Sequence, residues 1–436
     1  MSNFRAVDRG TAYLLPPSVD EWLPTDHLAR FVVEIVDELD FSALSSPYRG
    51  SGSKAYHPQM LAALLIYGYA TGTHSSRRIE QACYDSIALR FIAANTHPDH
   101  DTLCAFRGRF LKELESMFVQ VLKIAGQMKC LKLGSIALDG TKMHANASRH
   151  SALSYQRASE LEAQLQREVK ELLAKAEQAD SAEAKQPLDI PAELSRREVR
   201  LAAEQAAYEA KVAAREQKAK DTGKRPGGKP PSPPTGAVRP TDQVNLTDEQ
   251  SRIMPRSGGG GFEQSYNGQA AVDAESRLIV MTRLTNAPGD ARELIPMLEA
   301  IEALPEALAT PTTVLADAGY FSAANVAHCE ATGITPLIAR QRDQHYLPWW
   351  ERGADPGPVP PEADAVARRA HRLKTPEGRA LYGLRKQLPE PVFGIIKHAM
   401  RFRQFLLRGR EKVTDEWRLV TLAYNFRRLA VLAATS

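Results

Sequence analysis

Apolar positions in the first 130 residues fall in runs and at helical spacing. FVVEIVDEL (31–39) and MLAALLIYGYATG (60–72) are long apolar stretches, and Pro58 stands where a first-turn proline belongs. Over 75–93, serines able to cap precede Ile79, Cys83, Ile87 and Phe91, a stripe at intervals of four that predicts one helix. Over 97–118 the pattern returns, with Asp101 or Thr102 as the expected cap and Leu103, Phe106, Phe110 and Leu114 as the buried stripe. Short helices joined by tight polar turns fit a helical bundle or a helix-turn-helix-like nucleic-acid reader equally well. Arg77, Arg78, Arg107 and Arg109 mark the polar faces of these helices.

GSIALDGTK (134–142) breaks the helical period and reads as a strand ending in Asp-Gly. Leu161, Leu165, Val169, Leu172 and Ala176 then step by four, four, three and four, and Leu194, Leu201 and Tyr208 by seven. This predicts a helical hairpin arm over 150–221. Residues 222–245 are rich in Pro, Gly and Lys and read as a disordered linker. Strand signals follow at 261–274, 277–285, 311–321 and 335–340, with a helix over 288–304 that Asp290 is placed to cap. A short helix covers 322–332, and the C-terminus is helical again. The expected organisation is a helical domain (1–130), the first strand of an α/β domain (131–149), the arm, the linker, and the rest of the α/β domain (246–436). Three strands followed by alternating helix and strand predict a mixed sheet in an α/β layer fold, with room for its first and fourth strands as parallel neighbours.

Composition narrows the picture. Of 436 residues, 43% are hydrophobic and 25% charged, as in chains that bury a core. No apolar run reaches the roughly 18 residues of a membrane span, and the N-terminus lacks the apolar stretch of a signal peptide. Cys83, Cys104, Cys130 and Cys329 are far apart, which argues against a zinc site or disulfide framework and for reduced thiols in a cytoplasmic protein. Residues 371–436 hold 14 Lys and Arg against 5 Asp and Glu, a balance suited to a polyanionic partner.

The candidate chemistry lies at two strand tips. SIALDGT and TVLADAG are both apolar strand-type runs that end on an aspartate next to glycine, Asp139 and Asp317. Ligands of open α/β sheets bind at the carboxyl ends of strands. Two carboxylates meeting there repel unless a cation bridges them, and a hard cation such as Mg2+ suits oxygen donors. A turn-forming Asp before Gly is the plain alternative at each position. In YGLRKQLPEPVFGIIKHAM (382–400), Tyr382, Arg385, Glu390 and Lys397 lie at or near a helix start, with Lys397 two turns beyond Glu390. Other candidates are Asp273 as an acid at a strand end, Glu411 and Glu416 as alternatives to Glu390, and His144 and Asn146 just after Asp139. Trp349 and Trp350 could stack an unpaired base or simply anchor a loop.

ALDGTKMHANAS, SYNGQAAVD, TNAPGDARELIPML, VLADAGYFSAAN and YGLRKQLPEPVFGIIKH occur in this order. Together they resemble the transposases of bacterial insertion sequences, in the DDE group whose third acid lies in a Tyr-Arg-Glu-Lys signature. YHPQMLAALLIYGYATGTHSSRRIEQAC resembles the helical domain that precedes the catalytic domain in that group. The likeness covers about residues 15–150 and 245–430, with the arm as an insertion. It implies a ribonuclease-H-like fold. It implies Asp139, Asp317 and Glu390 as catalytic metal ligands, and Tyr382, Arg385 and Lys397 as the remaining signature positions, facing DNA phosphates. Four residues separate Arg385 from Glu390, where the wider group most often has three.

The implied activity is cleavage and strand transfer at the ends of an insertion sequence, using two Mg2+ ions with Mn2+ able to substitute. DNA is the implied partner, both terminal inverted repeats and target, with Arg77, Arg78, Arg107 and Arg109 as candidate end contacts. Joining two ends implies at least a homodimer. A non-transposing metal nuclease and a DNA-binding protein without catalysis are the alternatives.

Overall fold

The computed structural model describes residues 18–46, 48, 55–148, 152–154, 243–245, 247–255, 261–305, 308, 310–340, 356–359 and 361–435. The helical arm and the linker expected over 150–245 lie outside the described residues apart from two short strands, and Trp349 and Trp350 lie outside them too. The chain divides into two compact units, one of Met1–Ala147 with Gln250–Ser436 and one of Ser148–Glu249.

In the first unit, helices α1 (Val19–Trp22), α2 (Leu28–Asp37), α3 (Ser42–Ser45), α4 (Pro58–Thr71), α5 (Ser76–Asp85), α6 (Ile87–Ile92) and α7 (His100–Gln127) come first. Residues Leu61–Ala70 of α4 are buried without interruption, so this apolar run is a central helix enclosed on every side. Gly72 ends it at φ +89°, a left-handed cap that suits glycine. The single helix expected over 75–93 is two. Ser86 is extended (φ −104°, ψ 121°), and the second helix restarts rotated. Ile79 and Cys83 are buried as the stripe predicts, but Ile87 is exposed, and Ala88, Leu89 and Ile92 take the inner face instead. For α7 the cap is Asp99, whose Oδ1 accepts from Thr102 N at 2.8 Å, rather than Asp101 or Thr102. The expected stripe of Leu103, Phe106, Phe110 and Leu114 is buried.

Next come β1 (Ser135–His144), and then β4 (Arg252–Pro255), β5 (Phe262–Asp273) and β6 (Ile279–Thr285), after the second unit's β2 (Ala152–Ser154) and β3 (Gln243–Asn245). They are followed by α8 (Leu294–Glu302), β7 (Thr313–Ala316), α9 (Ala323–Ala331) and β8 (Thr335–Ile338). The chain closes with α10 (Ala365–Arg372), α11 (Pro376–Leu384), α12 (Pro389–Gly394) and α13 (Arg410–Ala433). The strands order as β4-β5-β1-β7-β8, with β6 also on β5. β1 runs antiparallel to β5 and parallel to β7, so the first and fourth major strands are the parallel neighbours that the sequence allows. The result is a mixed α/β fold. Among the described residues, no helix is long and apolar enough to cross a membrane.

α13 packs on β6, α4 and α7 and so joins the helical layer to the sheet. Its Asn425 caps the backbone of β6: Oδ1 accepts from Ile279 N (2.9 Å) and Nδ2 donates to Ile279 O (2.8 Å). Its Trp417 lies under Gly268 of β5, where a Cβ would stand 2.8 and 2.9 Å from ring carbons. Trp417 is fully buried and cannot yield. Gly268→Ala is therefore expected to destabilise the protein by about 1–3 kcal/mol, read as a lower thermal melting temperature. An unchanged melting temperature would show that the ring can shift.

In the second unit, β2 and β3 pair antiparallel, so residues 152–154 are strand where the sequence places the arm. Asn245 braces the turn that follows, accepting from Thr247 N (2.9 Å) and donating to Ser148 O (2.7 Å).

Candidate functional site

Parallel pairing of β1 with β7 ends at Leu138 and Ala316, and the next residue of each strand is an aspartate. Asp139 and Asp317 thus emerge side by side at the carboxyl edge of the sheet, each braced by its own backbone. Asp139 Oδ1 accepts from Gly140 N at 2.8 Å, and Asp317 Oδ1 from Gly319 N at 2.8 Å, where it caps a single 3-10 turn (Ala318–Tyr320). Burial, aided by the charges of Asp317 and Asp290, pushes the Asp139 carboxyl up to about 6 against the pull of Gly140 N–H and Arg385. Arg385 Nη1 lies 3.9 Å from Asp139 Oδ2. Its buried Nε has no hydrogen-bond partner among the described residues. Tyr382 is beside it: burial raises the phenol, and Arg385 and Asp317 act on it in opposite directions. Both signature positions therefore reach the two strand tips.

Glu390 is exposed in the first turn of α12, which packs against β1 and β5. Among the described residues, no hydrogen bond or ion pair ties it to Asp139 or Asp317, and no three His, Cys, Asp or Glu side chains group closely enough to hold a metal ion as they stand. Beyond α12 the helix widens into a π turn over Ile395–Ala399, so Lys397 does not continue the face of Glu390 by simple 3.6-residue spacing. Lys397 Nζ instead donates to Lys142 O at 3.2 Å. A cavity of about 160 Å3 opens there, lined by Lys142, His144, Glu263, Lys397, His398 and Arg403.

Two residues of this edge escaped the sequence reading. Asp290 does not cap a helix with its side chain, because α8 begins only at Leu294. Its Oδ1 accepts from Asn267 Nδ2 and Gln269 Nε2, both at 2.7 Å. Lys142, three residues beyond Asp139, donates to Pro288 O at 2.9 Å and stands 3.7 Å from Asp290 Oδ1. The usable signal was on β5. Asn267 and Gln269 alternate with the core positions of a buried strand and pair in register with Lys142 and Gly140. Polar side chains so placed need buried partners. Tyr320, two residues after the Asp317-Ala pair, donates its hydroxyl to Gln269 Oε1 and ties the second tip to the same group.

The remaining candidates have other work. Asp273 closes the β5–β6 turn four residues beyond Gln269, opposite Ile136 at the start of β1, accepting from Ser276 N (2.8 Å) and Oγ (2.7 Å). Glu416 is buried, holding Tyr69 and two backbone N–H groups. Glu411 is exposed at the start of α13. His144 Nδ1 pairs with Glu263 at 2.6 Å, and Asn146 Nδ2 donates to Leu406 O at 2.7 Å. Arg77 and Arg78 are exposed on α5, and Arg109 is exposed with its guanidinium 5.9 Å from the Tyr48 ring centre. Arg107 is half-buried beside Tyr69 and Glu416.

Residues 17–109 match the family model described as Transposase domain (DUF772), and residues 239–426 match the one described as Transposase DDE domain. No curated protein and no solved structure matches the chain.

Proposed function

The chain belongs to the DDE transposases of insertion sequences, and from that membership we propose that it cleaves DNA at the ends of its element and transfers the freed strands to a target. The observation that carries this reading is the meeting of Asp139 and Asp317, with Arg385 alongside, at the edge where β1 and β7 end. The sheet order, with the acid-bearing strands as parallel neighbours, supports a ribonuclease-H-like core.

The donors at this edge suit a divalent cation. They are oxygens, and burial and like charge hold the Asp139 carboxyl up to about 6 although the Arg385 guanidinium is close by. Such a site is short of positive charge at neutral pH. Asp139, Asp317 and Glu390 would hold Mg2+ or Mn2+, which as a pair of ions supplies charge stabilisation at the attacking and departing oxygens of a phosphodiester. Glu390 belongs to this set by its signature position and by the packing of α12 on the strand that carries Asp139.

The chain's own residues position the DNA. Arg385 offers its guanidinium to a phosphate next to the scissile bond, and Tyr382 backs it. Lys142, Lys397 and Arg403 line the adjoining cavity and give the sugar-phosphate backbone a cationic track. Arg77, Arg78 and Arg109, exposed on the helical layer, are the candidate contacts to the terminal repeats, and at least two copies of the chain would join two ends. A DNA substrate of this kind places the work in the cytoplasm. The deciding experiment incubates purified protein with linear DNA carrying the inverted repeats that flank the gene. Cleavage at the repeat boundary with Mg2+, and none with EDTA, supports the reading. Metal-independent cleavage, or cutting indifferent to the repeats, would refute it.

Metal binding should weaken in acid. The Asp139 carboxyl is raised from 3.8 to about 6 in the folded metal-free protein. A raised carboxyl stabilises the fold most at low pH, and that contribution is lost as pH rises through 6. A cation needs the deprotonated form, so its stabilising effect grows over the same interval. The rise in melting temperature caused by Mn2+ is expected to be larger at about pH 7.5 than at about pH 5.0, with affinity lower by about tenfold at the acid end. A shift of equal size at both values would contradict this.

A further inference from the structure

A third carboxylate, Asp290, stands at the two strand tips. Its two oxygens have different surroundings. Oδ1 takes the amide hydrogens of Asn267 and Gln269 and lies 3.7 Å from Lys142 Nζ. Among the described residues no hydrogen bond reaches Oδ2. That oxygen faces Asp317: a Cβ built on Gly319 would lie 3.4 Å from Asp290 Oδ2 and 2.9 Å from Asp317 Oδ1. Gly140 leaves similar room on the other tip, where a Cβ would meet Gln269 Nε2 at 2.3 Å and Asp290 Oδ1 and Asn267 Oδ1 at 2.8 Å each. The glycines after both aspartates thus open a space that Asp290 enters.

A second observation is independent of the acids. Asn267 is fully buried, and among the described residues its Oδ1 has no hydrogen-bond partner. The amide cannot simply be turned over, because Nδ2 already donates to Asp290 Oδ1 and Ala287 O. A buried acceptor left unpaired beside the Asp290 carboxylate, on the side that Gly140 leaves open, is costly unless something electropositive comes there.

We propose that Asp290 is a further metal ligand of this centre, sharing one divalent cation with Asp317 through Oδ2, while Asn267 and Gln269 hold Oδ1 and aim the carboxylate. The proposal rests on the metal-dependent reading above and adds Asp290 to its three acids. The ion would draw Asp290 Oδ2 and Asp317 together across the space that Gly319 leaves open.

Titration of the full-length chain with Mn2+, followed by the electron paramagnetic resonance of the free ion, tests this without any DNA. Asp290→Asn keeps the shape of the side chain and removes its charge. It is expected to weaken Mn2+ binding by about tenfold or more while circular dichroism and the metal-free melting temperature stay at wild-type values or rise. Asp290→Cys offers a soft ligand, so it should lose Mn2+ affinity and bind Cd2+ at least about tenfold more tightly than wild type does. A purely structural role would not produce that exchange of preference. Mn2+ binding by Asp290→Asn within about twofold of wild type overturns the proposal. If Asp290→Asn fails to fold, a Cd2+ affinity of Asp290→Cys no higher than wild type overturns it instead. Asp317→Asn separates the two levels. If it binds Mn2+ as wild type does, the metal-centre reading itself falls; if it is weak while Asp290→Asn is normal, only the role of Asp290 falls.

Discussion

Asp317→Asn and Asp139→Asn are each expected to lower cleavage of DNA carrying the element's ends by roughly 10³-fold or more, the upper range for loss of one group that stabilises transition-state charge. Binding to the same DNA should change by no more than about threefold, because the exposed Arg77 and Arg78 lie on a different element, α5. The substitutions preserve shape and remove one negative charge from a crowded edge. Asp139 is held up to about 6 by burial and by Asp317 and Asp290, so the metal-free variant should melt no lower than wild type. Loss of cutting with a preserved or raised melting temperature separates lost chemistry from lost structure. Gel-shift titration and a cleavage time course on the same preparations supply both readouts. Full cutting by either variant would remove the basis for the site.

Much of this edge was legible in the chain. Two apolar runs that stop on Asp-Gly or Asp-Ala-Gly reveal strand tips, since a buried strand must surface before a turn, and the order of the runs already allows β1 and β7 to be parallel neighbours. Asp290 was not legible, because Asp followed by Ala-Arg-Glu-Leu is what a helix start looks like. Only pairing with β5 shows that its side chain goes to Asn267 and Gln269. The same limit hid the break at Ser86. A stripe at intervals of four records which residues are apolar, not whether one extended residue rotates the second half. Arg107 reads as a solvated arginine on α7, yet it turns to a buried carboxylate that arrives more than 300 residues later in the chain. Period and spacing describe one element at a time, whereas the partners of Asp290 and Arg107 come from distant segments.

That buried carboxylate, Glu416, ties together elements that lie behind the edge where β1 and β7 end. It stands on α13, fully buried. Its Oε1 accepts from Tyr69 OH of α4 at 2.9 Å, and its Oε2 from Leu406 N at 2.9 Å and Leu407 N at 3.0 Å. One side chain thereby links the central helix of the N-terminal layer, the loop after the π turn and the helix that carries Trp417. Burial raises its carboxyl above the usual range, against the pull of those three donors and of Arg107. Glu416→Ala leaves a phenol and two amides without an acceptor beside Arg107, and is expected to cost about 3–5 kcal/mol, as when one partner is taken from a buried charged network. That corresponds to a melting temperature lower by roughly 6–20 °C. Glu416→Gln keeps an oxygen for the donors and should recover most of the loss. It should also remove a pH dependence. With the folded carboxyl raised above 4.5, its contribution is present in acid and is lost as pH rises through the folded value, so wild type should gain on Glu416→Gln as pH is lowered. A Glu416→Ala protein that melts within about 2 °C of wild type would mean that water or a shifted Arg107 replaces the carboxylate, and that the helical layer and the sheet are held together by apolar packing alone.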